Sequence, residues 1–489
     1  MMSYDEVMRL ALERGFYVPS CEIYADAPAG FWDYGPVGTA FKNRFVELWR
    51  REVLRRDEMV EIDGSQIMAK DVFVASGHLE NFFDPIVTCT KCKTTIRADR
   101  LISEKTGKNI PERLSDHDYD SLLKENNVRC PKCGGELGQV SKFNMMFKVG
   151  VGAANLDTYL RPETCQSIFV DFPRFFKIMR GKLPFPMAQL GKSFRNEIAP
   201  RQSLMRLREF YQAEIEIFFN PDKVNDVEEF EEVRNYPLRL MRGEDTVEAV
   251  PCEKAVEQGL VPSRFVAYYL SLIQQFYEKA GIDLNRFRFR RLAEDEKAFY
   301  AKVAFDVEVQ TSLGWIELVA CNDRSDYDLK RHSEVSKSDM TDLDGDVKVL
   351  PNVFELSMGV DRSLYCILEH SLVKEEKRDV LKLKPQLAPV QVGVFPLVTK
   401  EGLPDKANQI YSTLKKEFQT TYDVSGSIGR RYRRLDEIGT PLGITVDFDT
   451  LKDDTVTLRE RDSMQQSRIK VSEVLQKVRS YYYQEAQLV

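Results

Sequence analysis

Tyr211, Ala213, Ile215 and Ile217 alternate with Gln212, Glu214 and Glu216. A period of two predicts a strand with one apolar and one polar face. Upstream, Ser193, Arg195 and Glu197 share a face in the same way, and Pro200 in the stretch between suits a connection better than a helix. Residues 194–197 and 206–217 therefore read as two antiparallel strands. Their polar face carries guanidinium groups and carboxylates beside apolar neighbours. That mixture suits a site that holds a polyanion and an ammonium group together.

The same periodicities place the remaining elements. Residues 4–15 read as a short amphipathic helix and 39–56 as a longer one, with Phe41, Phe45, Leu48 and Trp49 at helical spacing. Arg50, Arg51, Arg55 and Arg56 crowd the end of the longer helix, where the dipole favours cations. Residues 59–62, 303–309 and 314–320 read as strands. A strand from 351 carries Glu355 and Ser357 on one face and runs through a glycine turn into a helix, with Arg362 in its first turn. Residues 222–300 change character, with an acidic segment followed by a strongly apolar helix over 264–279, and are expected to be an insertion. The charged stretch 374–384, closed by Pro385 and Pro389, predicts a boundary. Beyond it, residues 385–489 read as a small α/β domain with a mixed sheet.

Composition narrows the class. A chain of 489 residues is too long for one core. Hydrophobic residues make up 43% and charged residues 30%, as in ordinary soluble proteins. No apolar run is long enough to span a bilayer, and residues 1–6 lack the features of a signal peptide, so a cytoplasmic location without membrane contact is expected. The net charge of −7 does not advertise nucleic-acid binding, but one basic patch is enough for it, and Arg430, Arg431, Arg433 and Arg434 form a dense one. Among the nine cysteines, Cys89 and Cys92 pair with Cys130 and Cys133 as two C-x-x-C knuckles. Their type and spacing point to a four-thiolate structural zinc site with a long insert between the knuckles; two reduced dithiols are the alternative. His78, beside a glycine turn, is a ligand, a base or a hydrogen-bonded structural residue.

The residues also resemble a family. Phe194-Arg195-Asn196-Glu197 with Arg208-Glu209-Phe210 looks like motif 2 of the class II aminoacyl-tRNA synthetases. Gly359-Val360-Asp361-Arg362 looks like motif 3, with aspartate where many members have a second glycine. The helix from Thr39 and the strand after it resemble motif 1. Leu160-Arg161-Pro162-Glu163-Thr164, Ala213-Glu214-Ile215-Glu216 and Glu355-Leu356-Ser357-Met358-Gly359 resemble glycyl-tRNA synthetases of the dimeric archaeal and eukaryotic type. The resemblance implies an α+β fold. A class II antiparallel-sheet catalytic domain would span 1–384, with a zinc-ribbon-like insertion at 86–142 and a second at 222–300. An α/β anticodon-binding domain would follow at 385–489.

It further implies a homodimer and ATP-dependent ligation of glycine to the 3′ end of glycine tRNA through a glycyl-adenylate. By resemblance, Arg195, Glu197 and Arg362 are catalytic. The ATP site would be Arg195, Asn196, Glu197, Arg206, Arg208, Phe210, Glu317, Leu318, Arg324, Gly359 and Arg362, with adenine between Phe210 and Arg362. Glycine would be held by Arg97, Glu163, Gln212, Glu214, Glu355 and Ser357, and Glu317 and Glu355 would share Mg²⁺. Two other readings of such a chain are a non-catalytic binding protein on the same fold, which would lack the arginines, and a class II enzyme for another amino acid.

Overall fold

The computed structural model describes residues 2–485 apart from 109, 112, 113, 201, 244, 245 and 299. A nine-stranded sheet organises the first four-fifths of the chain. In chain order its strands are β1 (Val60–Ile62), β2 (Phe185–Phe194), β3 (Glu209–Phe219), β4 (Pro237–Arg242), β5 (Thr246–Pro251), β6 (Phe287–Arg291), β7 (Val303–Thr311), β8 (Gly314–Ser325) and β9 (Asn352–Gly359). Their spatial order is β5-β4-β6-β7-β8-β9-β3-β2-β1. Neighbours are antiparallel except β1 with β2 and β4 with β6.

The predicted hairpin is β2 and β3, with Gln189 opposite Glu214 and Phe194 opposite Glu209. The alternation of β3 holds throughout. Ala213, Ile215 and Ile217 enter the main core. Gln212, Glu214 and Glu216 face the other way, and Phe218 on that face stacks on Phe172 at 3.9 Å between ring centroids. The strand carrying Arg195 is shorter than expected: β2 ends at Phe194, so Arg195 and Glu197 stand in the connection just beyond it.

Helices cover both faces. Pro36–Trp49 widens into a π-helical turn over Arg50–Leu54, and Phe41, Phe45, Leu48 and Trp49 are buried as their spacing predicts. The arginines at its end form ion pairs, Arg50 with Glu61 at 2.7 Å and Arg55 with Glu47 at 2.9 Å. Cys165–Met179 packs on the opposite face with Phe169, Phe172 and Phe176 inward.

Residues 222–300 lie in sequence between two strands of the main sheet, Glu209–Phe219 and Val303–Thr311. They are not set apart: β4, β5 and β6 extend the main sheet, and the helix Arg264–Lys279 buries Phe265, Tyr269, Leu272 and Phe276 in the same core as β3 and β9. An apolar stripe this wide has to be covered, and the nearest apolar surface is the sheet itself.

The cysteine-rich segment does form a separate unit. Phe83–Thr88 pairs with Thr95–Arg97 and with Ser141–Asn144, and two helices, Ala98–Thr106 and Asp116–Glu125, close over a small core of Val87, Leu101, Ile102, Tyr119, Leu123 and Val140. At the C-terminal end Leu387 still packs with the main core, whereas Val392 belongs to a second core. That second core lies within a five-stranded sheet in the order Thr420–Tyr422, Val392–Pro396, Leu442–Val446, Thr455–Glu460, Gln466–Lys470. The first three strands are parallel and the last two antiparallel, which is the mixed sheet the sequence predicts.

Candidate active site

A cleft of about 200 Å³ opens where β3, β8 and β9 lie side by side, and it has a cationic half and an acidic half. Arg195, Arg206, Phe210, Leu318, Gly359 and Arg362 line the first half. The Arg195 guanidinium sits 5.4 Å from the centroid of the Phe210 ring, and its Nε donates to the Pro162 carbonyl at 3.1 Å. Arg206 is ion-paired with Glu197 at 2.5 Å. Arg362 donates to the Met205 carbonyl at 3.2 Å and the Glu317 carbonyl at 3.1 Å, which anchors it while leaving its planar group at the cleft wall. The rigid backbone acceptors hold two guanidinium groups on one opening, an arrangement that stabilises an anion with little reorganisation.

The acidic half is built from buried carboxyls. Glu214 is 1% exposed and accepts three hydrogen bonds: from the Ser357 hydroxyl at 2.6 Å, the Gln212 amide at 2.7 Å and the Thr164 hydroxyl at 2.6 Å. Burial, then the neighbouring charge of Glu163, raises its pKa despite those donors. Burial works against the charge of Glu163 too, but His78 at 3.4 Å holds that carboxyl well below the usual range. Glu355 accepts from the Asn322 amide at 2.6 Å and from Arg324 at 2.7 Å, and burial pushes it up to about 7. With Asp328 close by, the carboxyls of Glu163, Glu214, Glu355 and Asp328 outnumber the two buried guanidinium groups of Arg324 and Arg161, so the pocket favours a small cation.

Several assignments change. Arg324 is 2% exposed and spends its guanidinium on Asp328 at 2.6 Å and Glu355 at 2.7 Å, so it braces the acidic half from below instead of facing ATP. Arg208 turns away from the cleft, to the Ala29 carbonyl at 2.6 Å and the Glu197 carbonyl at 2.9 Å; it ties down the connection. Asn196 is held through its backbone N–H by the Met145 carbonyl at 2.8 Å and does not line the cleft. Arg97 belongs to the cysteine-rich unit, paired with Asp84 at 2.9 Å and with Asp99. It lines a larger adjoining cavity of about 970 Å³, not the acidic pocket.

Glu317 and Glu355 cannot share one ion. The register puts Glu355 opposite Asn322, about 17 Å along β8 from Glu317 at the usual rise per residue, whereas Mg²⁺ needs oxygens at about 2.1 Å. His78 takes the structural role, hydrogen-bonded to the Ser76 hydroxyl at 2.7 Å and packed on Phe73 and Phe82.

Four residues that sequence reasoning passed over belong to the site. Arg161 is 1% exposed and donates to the Lys192 and Gly64 carbonyls at 2.9 Å, which locks Glu163 onto the sheet. Tyr300 and Asn322 line the cleft, and Tyr300 stacks on Arg324 at 3.9 Å. Glu216 is 0% exposed, opposite Glu355 across the strands, and neither of its oxygens has a hydrogen-bond partner among the described residues. The repeated glutamate in Ala213-Glu214-Ile215-Glu216 was the available signal for it.

The four knuckle sulfurs also converge. Cys89, Cys92, Cys130 and Cys133 have their Sγ atoms within 4.8 Å of one another, with Cys89–Cys133 and Cys92–Cys130 at 3.6 Å. Four thiolates bound tetrahedrally at about 2.3 Å from zinc would sit about 3.8 Å apart, so the donor set fits that ion.

On the second domain, Arg431 is buried and donates to the Pro396, Val424 and Gly426 carbonyls, and Arg434 pairs with Asp423. Arg430 and Arg433 of the same helix remain exposed.

Known proteins show the same parts. Residues 147–236 match the class II tRNA synthetase core domain family (G, H, P, S and T), and residues 391–481 match the anticodon binding domain family. The chain is 38% identical to the glycine--tRNA ligase of Methanothrix thermoacetophila, over 98% of this chain and 97% of that protein. It is 38% identical to that of Methanocaldococcus jannaschii over 96% and 98%, and 37% identical to that of Thermococcus kodakarensis over 98% and 99%.

Among solved structures, the fold is similar to that described as the RNA binding domain of threonyl-tRNA synthetase from Cryptosporidium parvum, with a TM-score of 0.59, 17% identity and 97% of each chain covered. It is also similar to Giardia lamblia prolyl-tRNA synthetase in complex with prolyl-adenylate, with a TM-score of 0.58, 16% identity, and 97% of this chain and 77% of that one covered. The near end-to-end identity, on a class II core with an anticodon-binding domain, settles the family: the chain belongs to the glycine--tRNA ligases.

Proposed function

We propose that the two halves of the cleft bind ATP and glycine side by side and carry out the family's reaction, ligation of glycine to the 3′ end of glycine tRNA through glycyl-adenylate. The observation that carries this reading is that Arg195, Arg362, Glu163 and Ser357 line one opening, with the buried Glu214 directly behind it, hydrogen-bonded to Ser357. The glycine ammonium sits among Glu163, Glu214 and Ser357. Its carboxylate then points towards the arginines, where it attacks the α-phosphate. Arg195 stabilises the charge that builds on the phosphoryl oxygens, and Arg362 holds the far phosphates and one face of adenine while Phe210 covers the other. Glu197 keeps Arg206 aligned beside the nucleotide. Mg²⁺ would travel with ATP and neutralise its phosphates, with Glu317, half exposed at the cleft mouth, as the available carboxylate.

Glycine is the smallest amino acid, and Tyr300, Asn322 and Ser357, which line the cleft, are in our reading the walls against which a larger amino acid's side chain would clash. Selectivity by exclusion needs no separate editing step. The four-cysteine centre holds structural zinc, supported by the sulfur spacing. We further propose a homodimer built on the Pro36–Trp49 helix and a cytoplasmic enzyme; among the described residues no helix is long and apolar enough to cross a membrane.

The test is Glu214→Gln, which keeps the shape and removes the charge. The apparent KM for glycine rises at least tenfold while that for ATP stays within twofold, consistent with loss of a buried ion pair worth about 1.5–3 kcal/mol. An unchanged glycine KM would remove Glu214 from the pocket.

A further inference from the structure

Asp361 stands where many class II sequences have glycine, and the proposed reaction gives it no part. It is 3% exposed, in the first turn of the helix Val360–Ser371, immediately before Arg362. Its Oδ2 accepts the backbone N–H of Tyr211 at 2.6 Å, and its Oδ1 accepts the hydroxyl of Tyr34. Tyr211 directly follows Phe210. The sheet explains why that N–H is available. β9 pairs with β3 only as far as Gly359 opposite Gln212, then turns into the helix. The Asp361 carboxylate takes the place of the carbonyl a continuing strand would have offered.

Three chain segments thus meet on one side chain: the strand with Phe210, the helix with Arg362, and the short strand Trp32–Tyr34 that leads into Pro36–Trp49. The charge is compensated locally. The helix N-terminus favours an anion, and the Lys42 ammonium lies 3.8 Å from the centroid of the Tyr211 ring and 5.7 Å from that of Tyr34. Asp361 lines both the 200 Å³ cleft and a second pocket of about 260 Å³ behind it, which Tyr34, Lys42 and Tyr211 also line. It therefore stands directly behind the slot that Phe210 and Arg362 border.

We propose that Asp361 and Tyr34 are a positioning pair for the nucleotide: by clamping Tyr211 to the motif 3 helix they fix the separation of Phe210 and Arg362, and with it the width of the adenine slot. The inference rests on adenine lying between those two side chains. It is independent of the acidic pocket, where neither residue makes a contact.

The experiment compares Asp361→Ala, Asp361→Asn, Tyr34→Phe and the Asp361→Ala/Tyr34→Phe double variant with the wild type in glycine-dependent exchange of pyrophosphate into ATP. Asp361→Ala raises the KM for ATP on the order of tenfold, the loss expected for charge-assisted hydrogen bonds, and leaves the KM for glycine within twofold. Asp361→Asn, which still accepts from the Tyr211 N–H, recovers most of the loss. Tyr34→Phe gives a smaller rise, and the double variant is no worse than Asp361→Ala, because the two side chains act through one contact.

Direct titration of ATP into wild type and Tyr34→Phe by calorimetry repeats the comparison without turnover. It keeps the test alive if Asp361→Ala folds poorly. An unchanged ATP affinity in these variants, equal increases in both KM values, or additive effects of the two substitutions would overturn the positioning role. A wild type that binds ATP but shows no glycine-dependent exchange would instead overturn the reading of the acidic pocket.

Discussion

Glu216 shows what a single buried carboxyl costs. It has no hydrogen-bond donor among the described residues, sits across from Glu355, and is held well above the ordinary carboxylate range by burial and then by that neighbour's charge. In the folded protein it holds its proton to higher pH than in the unfolded chain, where it loses it above about pH 4.3. Unfolding therefore releases a proton, and the stability of the wild type falls as pH rises from there towards the folded pKa. Below that window Glu216 contributes no pH dependence.

Glu216→Gln removes the titration. Its stability relative to wild type should improve as pH rises from 5.5 to 7.5, by no more than about 1.4 kcal/mol per pH unit for one proton. Denaturant unfolding at the two pH values checks this, and parallel curves for the two proteins would show that Glu216 is ionised in the fold. At this scale the sequence shows which face Glu214 and Glu216 share but not which of them has donors. Glu214 owes its three donors to Thr164, Gln212 and Ser357, two of them on other elements. For the same reason Arg324 reads as a free cation in the sequence and is a buried brace in the fold: Asp328 is one helical turn away, but Glu355 arrives through strand pairing.

Among the elements, those with an unbroken period were legible and those defined by a neighbour were not. The alternation of β3 and the spacing of Phe41, Phe45, Leu48 and Trp49 are properties of one segment. The end of β2 at Phe194 is set by where its partner stops, and the place of residues 222–300 in the main sheet is set by which edge is open. The cysteine-rich unit lies between these cases. Its knuckle spacing is local, while its helices exist because Tyr119, Leu101 and Ile102 close a core of only modest size.

With zinc held by the four cysteines, as proposed, such a core would depend on that metal. Chelation, or Cys130→Ser, should abolish stoichiometric zinc and loosen this unit first, seen as faster hydrogen exchange in Ala98–Thr106 and Asp116–Glu125 with the main sheet still protected. Full protection of both helices in the zinc-free protein would assign their stability to the apolar core alone.

At the level of the whole molecule, the two domains are tied by side chains as well as by the segment between them. Arg378 reaches Asp436 at 2.7 Å, Arg14 reaches Glu437 at 2.6 Å, and Arg461 donates to the Leu383 carbonyl at 2.9 Å. The basic cluster of the second domain divides on inspection: Arg431 and Arg434 hold the domain together, and Arg430 and Arg433 face outward. Reversing Arg430 and Arg433 to glutamate should cut tRNA aminoacylation at least tenfold and lower its salt dependence, since each lost phosphate contact removes about one unit of slope. Pyrophosphate exchange should be unchanged, because adenylate formation needs only the distant cleft. Equal losses in both would place the effect on folding, not on tRNA.

The proline-flanked boundary was legible because charged residues precede it. Leu387 falls on the catalytic side because it packs into a core that the local pattern does not reveal.

The central claim is that one cleft joins a glycine-sized acidic pocket to a nucleotide slot. The measurement that bears on it most directly is exchange of labelled pyrophosphate into ATP by the purified full-length protein, run separately with each of the twenty amino acids. The account predicts exchange with glycine alone, with alanine and serine at background because the pocket walls exclude even one added carbon. Exchange absent with glycine, or stronger with any other amino acid, would contradict it.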